Sequence, residues 1–181
     1  MKELSLNILD IAENSVKAGA TLTEIKISEN EEALKITIKD NGCGMNDEKA
    51  AAAQNPFYTT RTTRKVGMGI PLFKMEAEMT GGSFSLQSKC REEYPDSHGT
   101  VISASFIKRH IDFIPLGDVV STVITLIQGH PETDFLFEHR YSQKTVSLDT
   151  RELRNVLGDV PLNSFEVIEW IKEYLNEQYG S

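Results

Sequence analysis

Leu34-Lys35-Ile36-Thr37-Ile38-Lys39-Asp40-Asn41-Gly42-Cys43-Gly44 is the stretch whose reading decides the fold. Apolar and polar residues alternate through Lys39, the period of a strand with one face buried. Leu34, Ile36 and Ile38 share the apolar face, and Asp40 continues their parity. A carboxylate at the core-facing end of a strand needs a donor, because an unpaired buried charge is costly. An exocyclic amine of a bound base is one such donor, and the backbone of the following turn is another. Gly42 and Gly44 then give a tight turn in which a flat group can approach the main chain.

Working outward, Thr23–Ser28 shows the same alternation, and Glu29-Asn30-Glu31-Glu32 supplies the turn of a hairpin. Leu4–Ala18 reads as a helix that stops before Gly19. Its Asn7, Asp10, Asn14 and Lys17 recur at spacings that hold them within an arc of about 80°. Leu4, Ile8, Leu9, Ile11, Ala12 and Val16 cover most of the remaining circumference, so the helix is expected to be largely buried. Its polar stripe faces either solvent or a polar cavity.

Beyond the turn, Asn46 or Asp47 can cap a short alanine-rich helix running to Gln54. Residues 55–69 read as a mobile loop. A helix over Ile70–Thr80 stops at Gly81-Gly82, and strands follow at Ser83–Lys89 and Thr100–Ile107. Thr100, Ile102, Ala104 and Phe106 share parity, which carries the Thr100 hydroxyl to the interior. Past residue 108 the pattern predicts a helix over Asp118–Gln128, a hairpin of Phe135–Tyr141 and Thr145–Asp149, and helices over Arg151–Leu157 and Ser164–Asn176. That portion holds no cluster to which chemistry can be assigned.

Composition narrows the function. The chain has 181 residues, of which 39% are hydrophobic and 25% charged, as in globular proteins. It is expected to hold one domain with an appendage, or two small ones. No apolar run approaches a membrane span, and no signal peptide is expected at Met1-Lys2-Glu3-Leu4. Cys43 and Cys90 are too few for a disulfide framework, so free thiols and a cytoplasmic location are expected. A formal charge of −8 argues against nucleic acid as a partner. His98, His130 and His139 show no metal spacing.

Gly67-Met68-Gly69-Ile70-Pro71 leads glycines into a helix with proline in its first turn, an arrangement that offers free N–H groups to an anion. No G-x-x-x-x-G-K-[ST] run is present, which excludes a P-loop. The polar segment before the glycines is also wrong for a Rossmann fingerprint.

Five motifs then fall in register: Asp10 to Thr21, Asp40-Asn-Gly-Cys-Gly44, Pro56-Phe-Tyr-Thr-Thr-Arg61, Gly67-Met-Gly69 and His98-Gly99-Thr100. Their order resembles the GHKL superfamily of gyrase B, Hsp90, sensor histidine kinases and MutL. The first motif and hairpin look most like MutL. The Pro56 stretch and the glycine helix look more like sensor histidine kinases. The resemblance implies a two-layer α/β sandwich (α+β, the Bergerat type) over residues 1–107; the remaining 108–181 are expected to form a small α+β extension that docks a partner or oligomerises.

It also implies ATP and Mg²⁺ as ligands. Asn14 would hold the metal, and Asp40 would accept from the adenine amine, helped by a water at Thr100. Gly42 and Gly44 would line the base, Gly67 and Gly69 would meet the phosphates, and Lys17 and Arg61 would add charge. Met45, Phe57 and Met68, within or beside these motifs, complete the expected nucleotide-binding set.

One position departs from the pattern. Hydrolysing members carry Glu four residues before the metal Asn, and histidine kinases usually carry Asn; this chain has Asp10. Asp10 is therefore the candidate catalytic base, one methylene short. With a helix read from Leu4, no upstream phosphoacceptor histidine is expected. His110-Ile-Asp-Phe-Ile-Pro115-Leu116 mimics the acceptor spacing but lacks the acid after the histidine, so a surface connector is expected there. The expected function is a freestanding histidine-kinase-like module, a kinase or nucleotide-dependent regulator of a partner protein. The alternatives are a slow ATPase of MutL or gyrase type whose lid closure drives homodimerisation, and a non-catalytic nucleotide sensor.

Overall fold

The computed structural model describes residues 3–57 and 68–180. Helix α1 (Leu4–Lys17) leads into the hairpin β1 (Leu22–Glu29) and β2 (Ala33–Asp40), then the short α2 (Asp47–Ala53). Helix α3 (Gly69–Met79), β3 (Ser83–Lys89) and β4 (Gly99–Ile107) follow. The chain closes with α4 (Val119–Gly129), β5 (Asp134–Tyr141), β6 (Lys144–Asp149), α5 (Thr150–Leu157) and α6 (Phe165–Gly180).

All six strands join one sheet in the order β3-β4-β2-β1-β5-β6. The β1–β5 pair is parallel and the other four pairs are antiparallel. The expected boundary near residue 107 therefore marks no break in the sheet, since β5 and β6 extend it beyond β1. Helices α3, α1, α4 and α6 lie side by side across one face, each packed on its neighbour and on the strands beneath.

Alternation explains why the sheet has one dry face. Ile25 and Ile27, Leu34, Ile36 and Ile38, Ile102, Ala104 and Phe106, and Phe135 and Phe137 all point under the helices and are buried. From above, Leu4, Ile8 and Ile11 of α1, Phe73 and Ala77 of α3, and Leu126 and Ile127 of α4 meet them. The opposite face carries polar contacts instead, such as Thr37 with Ser103 (3.0 Å) and Lys39 with Glu24 (3.8 Å).

The start of α1 has no side-chain cap. Its first N–H groups are taken by the connector after β4: Leu4 donates to the Pro115 carbonyl (2.9 Å) and Ser5 to that of Leu116 (2.8 Å). The segment that mimics a phosphoacceptor motif thus caps a helix, with His110 exposed on the surface. No helix among the described residues is long and apolar enough to cross a membrane.

Candidate functional site

Asp40 ends β2 opposite Thr100 of β4, and both lie beneath the second half of α1. Asp40 Oδ1 accepts from the Gly42 N–H (2.9 Å), closing the turn, and Oδ2 accepts from the Ser15 hydroxyl (2.7 Å). Each carboxylate oxygen can take two donors, so the group keeps acceptor capacity towards the cavity. Thr100 Oγ1 shares a hydrogen bond with Ser88 Oγ (2.7 Å), and Ser88 also accepts from the Met45 N–H (2.8 Å).

The turn after Asp40 is held from several sides. Asn41 Oδ1 accepts from the N–H groups of Thr21 and Leu22 (2.8 and 3.0 Å), binding the turn to the start of β1. Cys43 donates to the Ala18 carbonyl (2.9 Å), and its own carbonyl accepts from Arg91 (2.8 Å). Gly44 has φ +66°, and a Cβ there would collide with the Lys89 carbonyl. A Cβ on Gly42 would press on Ala18 Cβ at 2.9 Å. His98 Nδ1–H donates to the Gly42 carbonyl. These glycines let the turn lie flat against β3 and α1.

A cavity of about 210 Å³ opens between α1, the turn and the sheet. Ile11, Ile38, Ile70 and Ile102 are its apolar walls, and Asn14, Ser15, Asp40 and Thr100 are its polar groups. Gly44 and Met45 complete one rim. The Asn14 side chain is half-buried and takes no hydrogen-bond partner among the described residues. One turn earlier on the same helix face, Asp10 abuts the start of α3. A Cβ on Gly69 would sit 3.1 Å from that of Asp10. The N-terminus of α3, with Met68 at the cap position, has no side-chain cap. Partial desolvation raises the Asp10 pKa above 3.8; the positive charge of Lys17 works against the shift and the negative charge of Glu13 adds to it.

Of the residues expected at the site, Asn14, Asp40, Gly44, Met45 and Thr100 line one cavity, and Gly42 supports it. Asp10, Met68 and Gly69 form the adjoining junction of α1 and α3. Lys17 is exposed at the end of α1 and reaches the site through its field on Asp10. Phe57 is 90% exposed and does not line the cavity. Arg61 and Gly67 lie outside the described residues.

Two polar residues differ from the sequence reading. Asn7, read as part of the polar stripe, is fully buried and donates to Glu76 Oε2 of α3 at 2.7 Å. The stripe therefore divides, with Asn7 locking α1 to α3, Asn14 lining the cavity, and Asp10 and Lys17 exposed outside it. Ser15 falls one residue outside the stripe, yet it supplies the donor that Asp40 requires. The unmet need of Asp40 was the available signal; its answer depends on how α1 sits on the sheet. Among the described residues no group of three metal-ligating side chains occurs.

Residues 2–110 match the family of histidine kinase-, DNA gyrase B- and HSP90-like ATPases. This chain belongs to that family. Among curated proteins it is similar to the DNA mismatch repair protein MutL of Listeria monocytogenes serovar 1/2a. The identity is 24% over a stretch covering 84% of this chain and 31% of the relative. It is also 32% identical over 60 residues to the C4-dicarboxylate transport sensor protein DctB of Pseudomonas aeruginosa, covering 33% of this chain and 10% of that one. The chain spans about a third of the length of the MutL relatives it matches. The Aquifex aeolicus MutL ATPase domain complexed with ADP superposes with a TM-score of 0.56 at 16% identity, covering 100% of this chain and 70% of that one. The six-stranded sheet packed against helices is the ATPase fold of this family, which includes both histidine-kinase and MutL relatives.

Proposed function

We propose that this chain binds ATP with Mg²⁺ and acts as a nucleotide-dependent regulator of a partner protein, with slow hydrolysis supported by Asp10. The observation that carries the reading is the half-satisfied carboxylate of Asp40 at the polar end of an apolar cavity. Donors from Ser15 and Gly42 orient it without exhausting it. An adenine lies flat between the isoleucine walls and donates its amine to Asp40, and Thr100 holds a water beside it. Guanine presents a carbonyl where adenine has the amine and is rejected.

Asn14 would offer the metal a hard amide oxygen that no protein group among the described residues competes for, with phosphate oxygens and water completing its ligands. A metal held there would screen the phosphate charge. The uncapped start of α3 receives phosphate oxygens through backbone N–H groups. Asp10, beside that helix start, takes a proton from the attacking water, and its raised pKa makes it a better base than an ordinary aspartate. Residues 108–181 carry the surface that meets the partner.

Phosphoryl transfer is a second reading, favoured by the Pro56–Arg61 stretch that resembles sensor kinases. Incubation with γ-labelled ATP separates the two. Released phosphate that disappears in Asp10→Asn supports hydrolysis, and label retained on protein supports transfer. Binding itself is tested by calorimetry with ATP and GTP. Asp40→Asn is expected to weaken ATP about a hundredfold, since it removes a charged acceptor from a low-dielectric site. Unchanged ATP affinity in that variant sinks the adenine assignment. Hydrolysis is expected to fall as the medium is acidified, with its midpoint above the ordinary aspartate value, because the raised pKa of Asp10 depletes the base form sooner.

A further inference from the structure

A second cavity, of about 600 Å³, lies at the far end of the molecule between α5 and α6. Leu153, Val156, Leu157, Val160, Val167 and Trp170 give it apolar walls. Val156 is 86% and Trp170 47% exposed, and Trp170 stacks on Tyr174 with ring centroids 4.9 Å apart. Helical spacing explains the exposure. Ile168, Ile171 and Leu175 turn into the core, while Trp170 and Tyr174 sit well round the helix from them. An apolar surface of this kind, rimmed by charge, marks an interaction site.

The rim identifies the partner's chemistry. Glu166, Glu169, Glu173 and Glu177 are exposed, and their spacings of three, four and four hold them in one row beside Trp170 and Tyr174. No cation pairs with them among the described residues. The nearby basic groups are committed elsewhere. Arg151 binds Asp149 through two nitrogens (3.0 and 2.8 Å), and Arg154 binds Asp134 (2.7 Å) and the Pro131 carbonyl (2.6 Å). Lys172 lies on the opposite side of α6 from Trp170, where its charge acts on Asp118. A two-fold contact between copies through this groove would bring two identical glutamate rows together, and like charges oppose such an interface.

We infer that the α5–α6 groove is a docking site for a cationic amphipathic helix of a partner protein. The apolar stripe of that helix fills the groove, and its flanking Lys or Arg residues meet the glutamate row. This gives chemical content to the partner proposed above, and it rests on that reading for its purpose, not for its binding.

Trp170 is the only tryptophan in the chain, so its emission reports the groove directly. The probe is a synthetic helical peptide of about 16 residues with Leu at i, i+3, i+4 and i+7 and Lys on both flanks. A control peptide keeps the leucines and carries Glu on the flanks. The Lys peptide should shift Trp170 emission to the blue, and bind about tenfold more weakly once Glu166→Lys and Glu173→Lys are combined. Val156→Asp, at a side chain too exposed to unfold the helix, should abolish the shift while ATP affinity stays unchanged. Three results overturn the proposal: no shift with the Lys peptide, equal binding of both peptides, or a dimer without peptide that Val156→Asp dissociates, which assigns the groove to a second copy. Because ATP binding is measured in the same samples, failure of the groove is distinguishable from failure of the nucleotide site.

Discussion

The two ends of the sheet use polar side chains in opposite ways. Around β2 and β4, Asp40 and Thr100 are held by hydrogen bonds but keep free capacity facing a cavity, and Asn14 beside them has no partner among the described residues. Around β5 and α6, the polar groups are closed on one another. His139, nearly buried, donates from Nε2 to Glu29 Oε1 (2.8 Å) and accepts at Nδ1 from the Tyr179 hydroxyl (2.8 Å). Glu29 Oε2 takes Lys108 Nζ at 2.7 Å, and Gln178 binds both the N–H and the carbonyl of Ser147 (3.0 Å each), blocking part of the β6 edge. A polar group that is oriented yet incompletely satisfied marks a site, whereas a group whose partners are all protein marks a joint.

That contrast breaks most visibly at His139. Replacing it by alanine removes a buried ring, leaves Glu29 with Lys108 alone and takes away the ring nitrogen to which the Tyr179 hydroxyl donates. A loss of about 3 kcal/mol of stability is expected, with ATP affinity within about twofold of the parent, since the cavity lies across the sheet. Denaturant midpoints and calorimetry on the same samples check both halves. A large loss of ATP affinity would mean the two ends are coupled and the division is false.

Ser15→Ala tests the other end with a smaller effect. One hydrogen bond to a charged acceptor disappears, and Asp40 remains tied through Gly42. About 1 kcal/mol of stability should go, and ATP should bind about tenfold more weakly as the carboxylate loses its orientation. Serine-to-alanine changes on the open face, such as Ser103→Ala, should leave binding untouched. Equal effects from the two would deny Ser15 any special part in orienting Asp40.

How far these roles were legible in the sequence follows the same physics. Strand parity and helical spacing are local, so they placed Asp40, Thr100, Asn14 and nearly every element boundary. Packing is not local. Nothing in Phe135–Tyr141 announces that it pairs in parallel with β1, because a strand with a clean apolar face fits either edge of a hairpin. Asn7 and Asn14 look equivalent on a helical wheel, but α3 covers one and leaves the other facing a cavity. Ser15 is small and lies beside the stripe, so only the seating of α1 on β2 reveals its partner. Phe57 follows the family motif, yet it lies in solvent and does not line the cavity in this structure.

The smallest expected effect is also the sharpest in sign. Burial lowers the pKa of His139 below 6.5, against the pull of Glu29, so the folded protein holds it neutral where the unfolded chain binds a proton. A depressed histidine pKa means that the unfolded state gains protons first as the medium is acidified. Stability should therefore decline as pH falls below 6.5, by at most about 1.4 kcal/mol per pH unit from this one group. Glu29 does not obscure the window. Its pKa is lowered from 4.5, so its contribution persists above that value and is lost only in stronger acid. Urea midpoints between pH 7 and 5.5 should slope downward in the parent and flatten in His139→Gln, which cannot titrate. An unchanged slope in that variant would show that the ring takes up its proton alike in the folded and unfolded states, and a slope that steepened would show a ring held charged at β5, an ion pair instead of a neutral relay.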